Sequence, residues 1–167
     1  AESVFSVDSQ MPERIRLMGA ALRALMISGA LESVLEMTVQ YSTERLQFGR
    51  PISKFQAIQQ QIAILAGEVA ACQMASHFVV DSFSTLGEMD IAIGKARIGE
   101  AVSICTDIAH QVHGAMGYTL EHSLNHRTRR LWSWREEYGN EREWQKLVGR
   151  HFAAQGADKL WDSMTAL

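Results

Sequence analysis

The sequence predicts an all-α protein, an antiparallel up-down bundle of four long helices plus a shorter one. Helix-forming residues dominate the chain, only two of its 167 residues are prolines, and β-branched runs bounded by turn signals are nearly absent. Apolar residues also recur every three or four positions through long stretches. The length suffices for one sizeable core. We therefore expect one domain over residues 11–167, preceded by a polar, patternless linker over residues 1–10.

Composition narrows the classes of function. The net charge of −3 gives no overall positive field for nucleic acid or an anionic membrane. We see no apolar run of bilayer-spanning length and no signal peptide pattern, so we expect no membrane insertion. Cys72 and Cys105 are too few and too far apart for a disulfide scaffold or a CxxC metal site. Free thiols suit a reducing compartment, which predicts a cytoplasmic protein.

The first helix is predicted to begin near Pro12, because proline suits the first turn of a helix. Its apolar face extends to between Tyr41 and Arg45. Residues 48–53 then break the pattern, since Gly49 and Pro51 cannot both continue a helix. The sequence thus predicts a sharp turn after the first helix.

The second helix has predicted signals at both of its ends. Ser53 and Gln56 match an S-x-x-Q capping box, which places the start of the helix at Ser53. The apolar pattern continues to about Leu86, and Gly87 is then the expected residue after the helix.

Three further helices are predicted from the same periodicity. Their expected bounds are Met89–Val112, Leu124–Tyr138 and Glu141–Met164. Glycines separate them, two in the loop "HGAMGYT" and one at Gly139, next to Asn140. Short connections between helices imply antiparallel neighbours in a bundle.

Three non-helical segments carry the functional signal: "RLQFGRP" at 45–51, "HQVHGAMGY" at 110–118 and "EEYGNE" at 136–141. Each alone is typical of an ordinary helix end. Together, in this order and within an all-α domain, they resemble the C-terminal domain of the acyl-CoA dehydrogenase family, from about Met11 to Leu160. The most specific piece is Tyr41–Ile58, which matches the family pattern Tyr-x-x-x-Arg-x-x-Phe-Gly followed by Gln-x-Ile.

This resemblance implies a flavoprotein that uses FAD for the α,β-desaturation of an acyl-CoA thioester. In the family, an N-terminal helical domain and a β-barrel complete the site, and the C-terminal bundle supplies the tetramer interface and part of the flavin site, often for a neighbouring subunit. The implied partners are an acyl-CoA substrate, an electron-transfer flavoprotein-type acceptor, and further subunits of a dimer or tetramer.

The resemblance also implies which residues bind FAD. They are Arg45, Gln47, Phe48, Phe55, Gln56, Ile58, Gln111, Gly114, Ala115 and Asn140. The residue types suit the role, because a guanidinium offers a planar fork of donors to phosphate and glycine permits close approach of the backbone. An aromatic ring such as Phe48 or Phe55 is able to lie against adenine.

The catalytic base departs from the family pattern. Many members carry the base in a Tyr-Glu-Gly-Thr segment, and the matching stretch here is Glu137-Tyr138-Gly139-Asn140, with tyrosine at the position of the base. A phenol has an ordinary pKa of about 10 and is a poor substitute. Some relatives place a glutamate on the first helix instead, where this chain has Gly19.

Three interpretations of that departure stay open. Glu137, or less readily Glu136 or Glu141, reaches the substrate from a shifted turn. Alternatively, a partner chain supplies the base, and this chain belongs to a catalytically silent subunit of a hetero-oligomer. The third alternative is a flavin-dependent monooxygenase of the same fold, which needs no base at that position.

Two other patterns favour simpler explanations. Histidines occur at helical separations, at positions 110, 113, 122 and 126, but without the E-x-x-H spacing of a carboxylate-bridged metal site, so no metal is predicted. The basic segment "HRTRRLWSWR" at 126–135 superficially suggests nucleic acid. We interpret it instead as a subunit contact or an ion-pair segment, because its two tryptophans point to different faces of a helix.

Overall fold

The computed structural model describes residues 9–165, and side chains up to residue 162. Its helices are α1 (Met11–Glu44), α2 (Gln56–Asp81), α3 (Glu88–His113), α4 (Ser123–Glu136), α5 (Glu141–Gln155) and α6 (Leu160–Thr165). Its strands are β1 (Leu46–Gln47) and β2 (Arg50–Pro51), and its 3₁₀ turns are Ile52–Lys54, Gly114–Tyr118 and Ala157–Lys159. Nearly all of the predicted linker, residues 1–8, lies outside the described residues.

The all-α bundle predicted from the sequence is confirmed, and residues 9–165 contain three long helices where four were expected. Helix α3 is central and packs against α1, α2, α4 and α5. The core is apolar and includes Ile27 and Leu31 of α1, and Ile91 and Ile98 of α3. Close packing of α2 on α3 requires Gly94, because a Cβ atom there would overlap the side chain of Val79.

The predicted capping box at the start of α2 is wrong. Ser53 lies within the 3₁₀ turn that follows Pro51, and the N-cap residue is Phe55, with φ −92° and ψ 130° and no side-chain cap. The carbonyl of Ser53 accepts a hydrogen bond from Gln59 Nε2 at 3.0 Å. The 3₁₀ turn follows the hairpin directly, and the amide of Ile52 donates to the carbonyl of Arg45 at 2.9 Å where the two join.

Several predicted helix ends also differ. Helix α2 ends at Asp81, five residues before Leu86, and Gly87 is the N-cap of α3 instead of a C-terminal residue of α2. The predicted last helix is interrupted at Gly156, whose φ of 82° ends α5. The apolar pattern of the sequence continues through these turns, although their backbone is not helical. The pattern alone therefore placed the helix ends too far along the chain.

Helices α1 and α2 bear on the expectation that the chain has no segment able to span a membrane. By length and composition alone, α1 and α2 each contain a stretch apolar enough to cross a membrane, so the statement that no such segment exists is wrong. Within the bundle, 44% of that stretch in α1 and 28% in α2 is buried. Core helices of a helical bundle pass the same test, and the absence of membrane insertion stays a prediction.

Candidate functional site

A cavity of about 400 Å³ lies where the end of α1, the β1–β2 hairpin, the start of α2 and the end of α3 meet. Eight of the ten residues predicted to bind FAD line it: Arg45, Gln47, Phe48, Phe55, Ile58, Gln111, Gly114 and Ala115. The fold thus brings together two segments that are about sixty residues apart in the chain.

The hairpin forms an aromatic wall of the cavity. Its central residues, Phe48 and Gly49, have φ values of 51° and 77°, the left-handed geometry of a tight two-residue hairpin turn. This backbone leaves Phe48 91% exposed, with its ring edge-on to Phe55 at 6.1 Å between centroids. The guanidinium of Arg50 lies 4.3 Å from the centroid of the Phe55 ring. The exposed ring of Phe48 suits stacking against a planar ligand, and Phe55 beside it is in contact with a cation.

Arg45 supplies a positive charge at the cavity wall. It is the C-cap of α1, and its amide donates to the carbonyl of Tyr41. Its side chain is exposed and makes no ion pair or hydrogen bond with any residue in the described part of the chain. Because guanidinium stays charged at all relevant pH values, this group is ready to bind an anion.

The end of α3 gives the cavity an open backbone edge. Gly114 has φ 59° and ψ −145°, a conformation available essentially only to glycine. A Cβ atom built at this position would have nothing within 4 Å, so the backbone faces free space. A dinucleotide phosphate or base is therefore able to approach this backbone, with the Gln111 amide beside it.

Five lining residues were not predicted as FAD contacts, and Tyr41 and His113 are the two polar aromatic ones among them. Their rings stack at 4.4 Å between centroids, and the hydroxyl of Tyr41 donates to the carbonyl of His113 at 3.3 Å. His113 is 3% exposed, its Nδ1 lies 2.7 Å from the carbonyl oxygen of Ala109, and its Nε2 has no partner in the structure. Their positions in the sequence could have indicated this, because Tyr41 begins the matched segment Tyr41–Ile58 and His113 lies in the segment at 110–118.

Burial lowers the pKa of His113, although the hydrogen bond to Ala109 opposes the shift. The unfolded chain then binds the proton more readily, so the free energy of unfolding is expected to fall as pH drops below about 6.5. The slope contributed by one such group is at most about 1.4 kcal/mol per pH unit. Denaturant unfolding of His113→Phe at several pH values is expected to show a smaller slope than the parent.

The control for this prediction is His77→Gln, because His77 is exposed. Its slope is expected to match that of the parent protein. An unchanged slope in His113→Phe would contradict the assignment of the acid sensitivity to His113.

Two predicted FAD contacts, Gln56 and Asn140, are not among the residues that line the cavity. Gln56 is exposed at the first turn of α2. Asn140 caps α5, where its side-chain oxygen accepts from the amide of Glu143 at 3.2 Å and its Nδ2 donates to Glu136 at 3.2 Å. The hydrogen bonds of Asn140 are those of a helix N-cap. Contact of Gln56 or Asn140 with FAD stays a prediction.

The turn after α4 holds the candidate base. Both carboxylate oxygens of Glu137 are engaged, Oε2 by Arg23 Nε at 2.6 Å and Oε1 by the hydroxyl of Ser133 at 3.1 Å. Tyr138 has a φ of 58°, and its ring lies directly against Gly19. The two positions at which the family places its base therefore meet in space, and both lack a carboxylate.

Two buried side chains, Lys95 and Trp144, hold the turn after α4 through hydrogen bonds to its backbone carbonyls. Lys95 is fully buried, and its Nζ donates to the carbonyl of Arg135 at 2.8 Å, at the end of α4. Burial lowers the pKa of Lys95 to about 8, although nearby glutamates, Glu141 first, oppose the shift. Trp144, 1% exposed, donates its indole N–H to the carbonyl of Gly139 at 3.1 Å. The burial of Lys95 was not predicted, because lysine is rarely a fully buried residue.

The histidines have structural partners. His110 Nε2 lies 3.0 Å from the hydroxyl oxygen of Thr128, and its ring stacks on Tyr118 at 4.3 Å. Within residues 9–165, no group of three or more His, Cys, Asp or Glu residues has a metal-binding arrangement. The prediction of no metal stays a prediction for the whole chain.

Comparison with known proteins identifies the family. A sequence model described as "Acyl-CoA dehydrogenase, C-terminal domain" matches residues 15–142. The chain therefore belongs to the acyl-CoA dehydrogenase family, through its C-terminal helical domain.

The relatives are longer than this chain. It is 38% identical over 105 residues to acyl-CoA dehydrogenase IpdE2 of Mycolicibacterium smegmatis, covering 63% of this chain and 33% of the relative. It is 36% identical over 99 residues to glutaryl-CoA dehydrogenase of Desulfococcus multivorans, covering 58% and 25%. A solved glutaryl-coenzyme A dehydrogenase in complex with glutaryl-CoA has a TM-score of 0.74 at 28% identity, covering 78% and 34%. The chain thus spans about a quarter to a third of these proteins.

Proposed function

We propose that this chain is the C-terminal FAD-binding and oligomerisation domain of a cytoplasmic acyl-CoA dehydrogenase. The complete enzyme desaturates an acyl-CoA thioester between its α and β carbons and passes electrons to an electron-transfer flavoprotein-type acceptor. The observation that carries the proposal is the convergence of Arg45, Phe48, Gln111 and Gly114 on one cavity.

The cavity residues fit the nucleotide end of FAD. Arg45 has no competing carboxylate among the described residues and is suited to bind the pyrophosphate. Phe48 and Phe55 offer ring surface to adenine, and Gly114 leaves its backbone free for a close contact. When bound, FAD supplies the hydride acceptor of the reaction. The chain's own contribution is to hold and orient the cofactor.

Helix α2 supports the proposed self-association. Large apolar side chains remain exposed along it, among them Met74 at 62%, Ile64 at 48% and Phe78 at 45%. An apolar helix face of this kind is typical of a protein interface. We propose that it is covered by another subunit of a dimer or tetramer.

A second candidate function, the catalytically silent subunit, has an observation in its favour. Arg23 and Ser133 occupy both oxygens of Glu137, and Tyr138 fills the place beside Gly19. For Glu137 to abstract a proton, one of these contacts has to open. In the silent-subunit alternative they stay closed, and the partner chain provides the base.

Anaerobic mixing of the purified complete protein with acyl-CoA tests these alternatives. If the proposed function holds, the protein carries flavin absorbance, acyl-CoA bleaches it, and Glu137→Gln slows the bleaching by at least about 100-fold, the usual contribution of a general base. Glu121→Gln is the matched control, since Glu121 is exposed and lies outside the turn that holds the candidate bases. Bleaching at an unchanged rate in Glu137→Gln would instead show that Glu137 is not the base. A flavin monooxygenase would show no bleaching by acyl-CoA.

A further inference from the structure

Three rings meet behind the cavity that we assign to FAD: Tyr41 of α1, His113 at the end of α3, and His122 just before α4. Tyr41 stacks on His113 at 4.4 Å between centroids. The ring of His122 is roughly perpendicular to both, at 5.0 Å from His113 and 6.3 Å from Tyr41. Tyr41 and His113 line the cavity, whereas Tyr41 and His122 line a smaller pocket of about 190 Å³. This ring cluster, Tyr41, His113 and His122, therefore forms the wall between two openings.

The ring cluster joins the two halves of the cavity. The amide of Arg45 donates to the carbonyl of Tyr41 at 2.9 Å, and His113 directly precedes Gly114. The hydroxyl of Tyr41 donates to the carbonyl of His113 at 3.3 Å, in the peptide bond that leads into Gly114. The stacked rings and this hydrogen bond are thus direct contacts between the segment that carries Arg45 and the segment that carries Gly114.

Hydrogen bonds determine which nitrogen of each imidazole carries the proton. Nδ1 of His113 lies 2.7 Å from the carbonyl oxygen of Ala109, and because a carbonyl only accepts, this nitrogen is the donor. Nδ1 of His122 accepts from the amide of Leu124 at 3.2 Å, so the proton of this neutral ring is on Nε2. Nε2 of His113 is then an acceptor, and it is buried without a hydrogen-bond partner in the described part of the chain. The two rings are therefore placed as neutral imidazoles.

The surroundings of His113 do not favour a second proton. Protonation would convert Nε2 into a buried N–H donor without an acceptor, on a residue that is 3% exposed. The titratable and charged residues of the surrounding elements are Tyr41, Glu44 and Arg45 on the α1 side, His110 on α3, Tyr118 in the following 3₁₀ turn, and His122 before α4. No carboxylate among the described residues lines the cavity, and Glu44 lines the smaller pocket, where it accepts from Gln40 at 2.8 Å. Burial lowers the pKa of His113, and His122 and His110 add to that shift.

We propose that the ring cluster is a pH-dependent positioning device: with both imidazoles neutral it holds Arg45 and Gly114 at the separation that FAD requires, and protonation of His113 opens it. This inference rests on the proposed function. A charged His113 has to leave its buried place against Tyr41 to reach water, so the stack and the hydrogen bond to its carbonyl are lost together. Protons and FAD then compete, because FAD binds the closed cluster and protons bind the open one. Tyr41, His113 and His122 act as positioning residues, with or without a contact to FAD.

Titration of the complete apoprotein with FAD between about pH 7.5 and pH 5.5 tests the proposal, since an imidazole changes its charge in this range. The affinity of the parent is expected to fall with pH, by up to about tenfold per pH unit for one competing proton. His113→Phe keeps a flat ring against Tyr41 but does not titrate, so its affinity is expected to change much less with pH. The matched control is His77→Gln, because His77 is exposed on α2. Its pH dependence is expected to equal that of the parent.

Two further variants separate positioning from a merely structural role. His122→Asn keeps a good N-cap residue before α4 and removes a positive charge that opposes protonation of His113. The fall in FAD affinity is expected to begin at a higher pH in this variant than in the parent. Tyr41→Phe keeps the stack and removes only the hydrogen bond to the carbonyl of His113. It is expected to weaken FAD binding about 2- to 10-fold at neutral pH, the usual range for one hydrogen bond.

Hydrogen exchange of the complete protein without flavin observes the ring cluster by itself. After correction for the intrinsic rate, protection in residues 41–58 and 110–123 is expected to fall in acid more than protection in α5. This local loss is expected in the parent and not in His113→Phe. A protein that shows it but binds no FAD would refute only the proposed flavin function.

Four outcomes would overturn the inference. One is an affinity for FAD that rises as pH falls, which would show that protonated His113 attracts the phosphates of FAD. The second is the same pH dependence in His113→Phe as in the parent, and the third is unchanged FAD affinity in Tyr41→Phe. The fourth is an equal loss of protection in all helices, which would show global unfolding and not the opening of the ring cluster.

Discussion

Replacing Arg45 by glutamine is expected to weaken FAD binding by the complete protein about 10- to 100-fold, the usual range for a lost hydrogen bond to a charged group. Arg45 lines the cavity and has no other partner within the described residues, so its whole charge is available to the cofactor. Fold stability is expected to change little for the same reason. Titration of the apoprotein with FAD, followed by flavin fluorescence, gives the dissociation constant.

The control for this substitution is Arg150→Gln, which removes the same charge from an exposed position of α5. FAD affinity in this variant is expected to equal that of the parent. If Arg45→Gln and Arg150→Gln both retain the affinity of the parent, the cavity does not hold the phosphates of FAD.

Replacing Trp144 by alanine is expected to lower the free energy of unfolding by about 3–5 kcal/mol, the range for truncating a buried large aromatic residue. The indole is 1% exposed, donates to the carbonyl of Gly139 and is covered by the guanidinium of Arg16 at 4.2 Å. Its loss therefore removes core packing and leaves the carbonyl of the Glu137 turn without its partner. Denaturant unfolding measures the change.

Trp132→Ala is the matched comparison, since the same side chain is 43% exposed on α4. We expect it to cost less than about 1 kcal/mol, as for most surface substitutions. Equal losses in the two variants would show that Trp144 is not the packing anchor of this turn.

The sequence was sufficient to predict the bundle and most of the cavity. Apolar periodicity depends only on residues that are close together in the chain. The bounds of α1 and α3 could therefore be predicted to within a few residues. The turn at Gly49 and Pro51 and the bend at Gly114 require special backbone geometry, and such geometry is visible in the residue types. Their meeting in one cavity was predicted only through the resemblance to a family.

Features that depend on tertiary packing could not be predicted. Residue type alone favours an exposed Lys95, and only the carbonyl end of α4 explains its burial. The contact of Tyr138 with Gly19 joins positions more than a hundred residues apart. The capping box at Ser53 failed because residues 52–54 form a 3₁₀ turn, so that α2 begins only after Phe55. For Lys95 and for Tyr138, a partner distant in the chain decides the outcome.

The most direct test of the flavoprotein assignment is an experimental structure of the complete protein with FAD bound. We predict that one FAD molecule, held by the same subunit or by a neighbouring one, contacts both Arg45 and the Gln111–Gly114 edge of the cavity. A structure in which no single FAD molecule touches both segments would contradict the assignment.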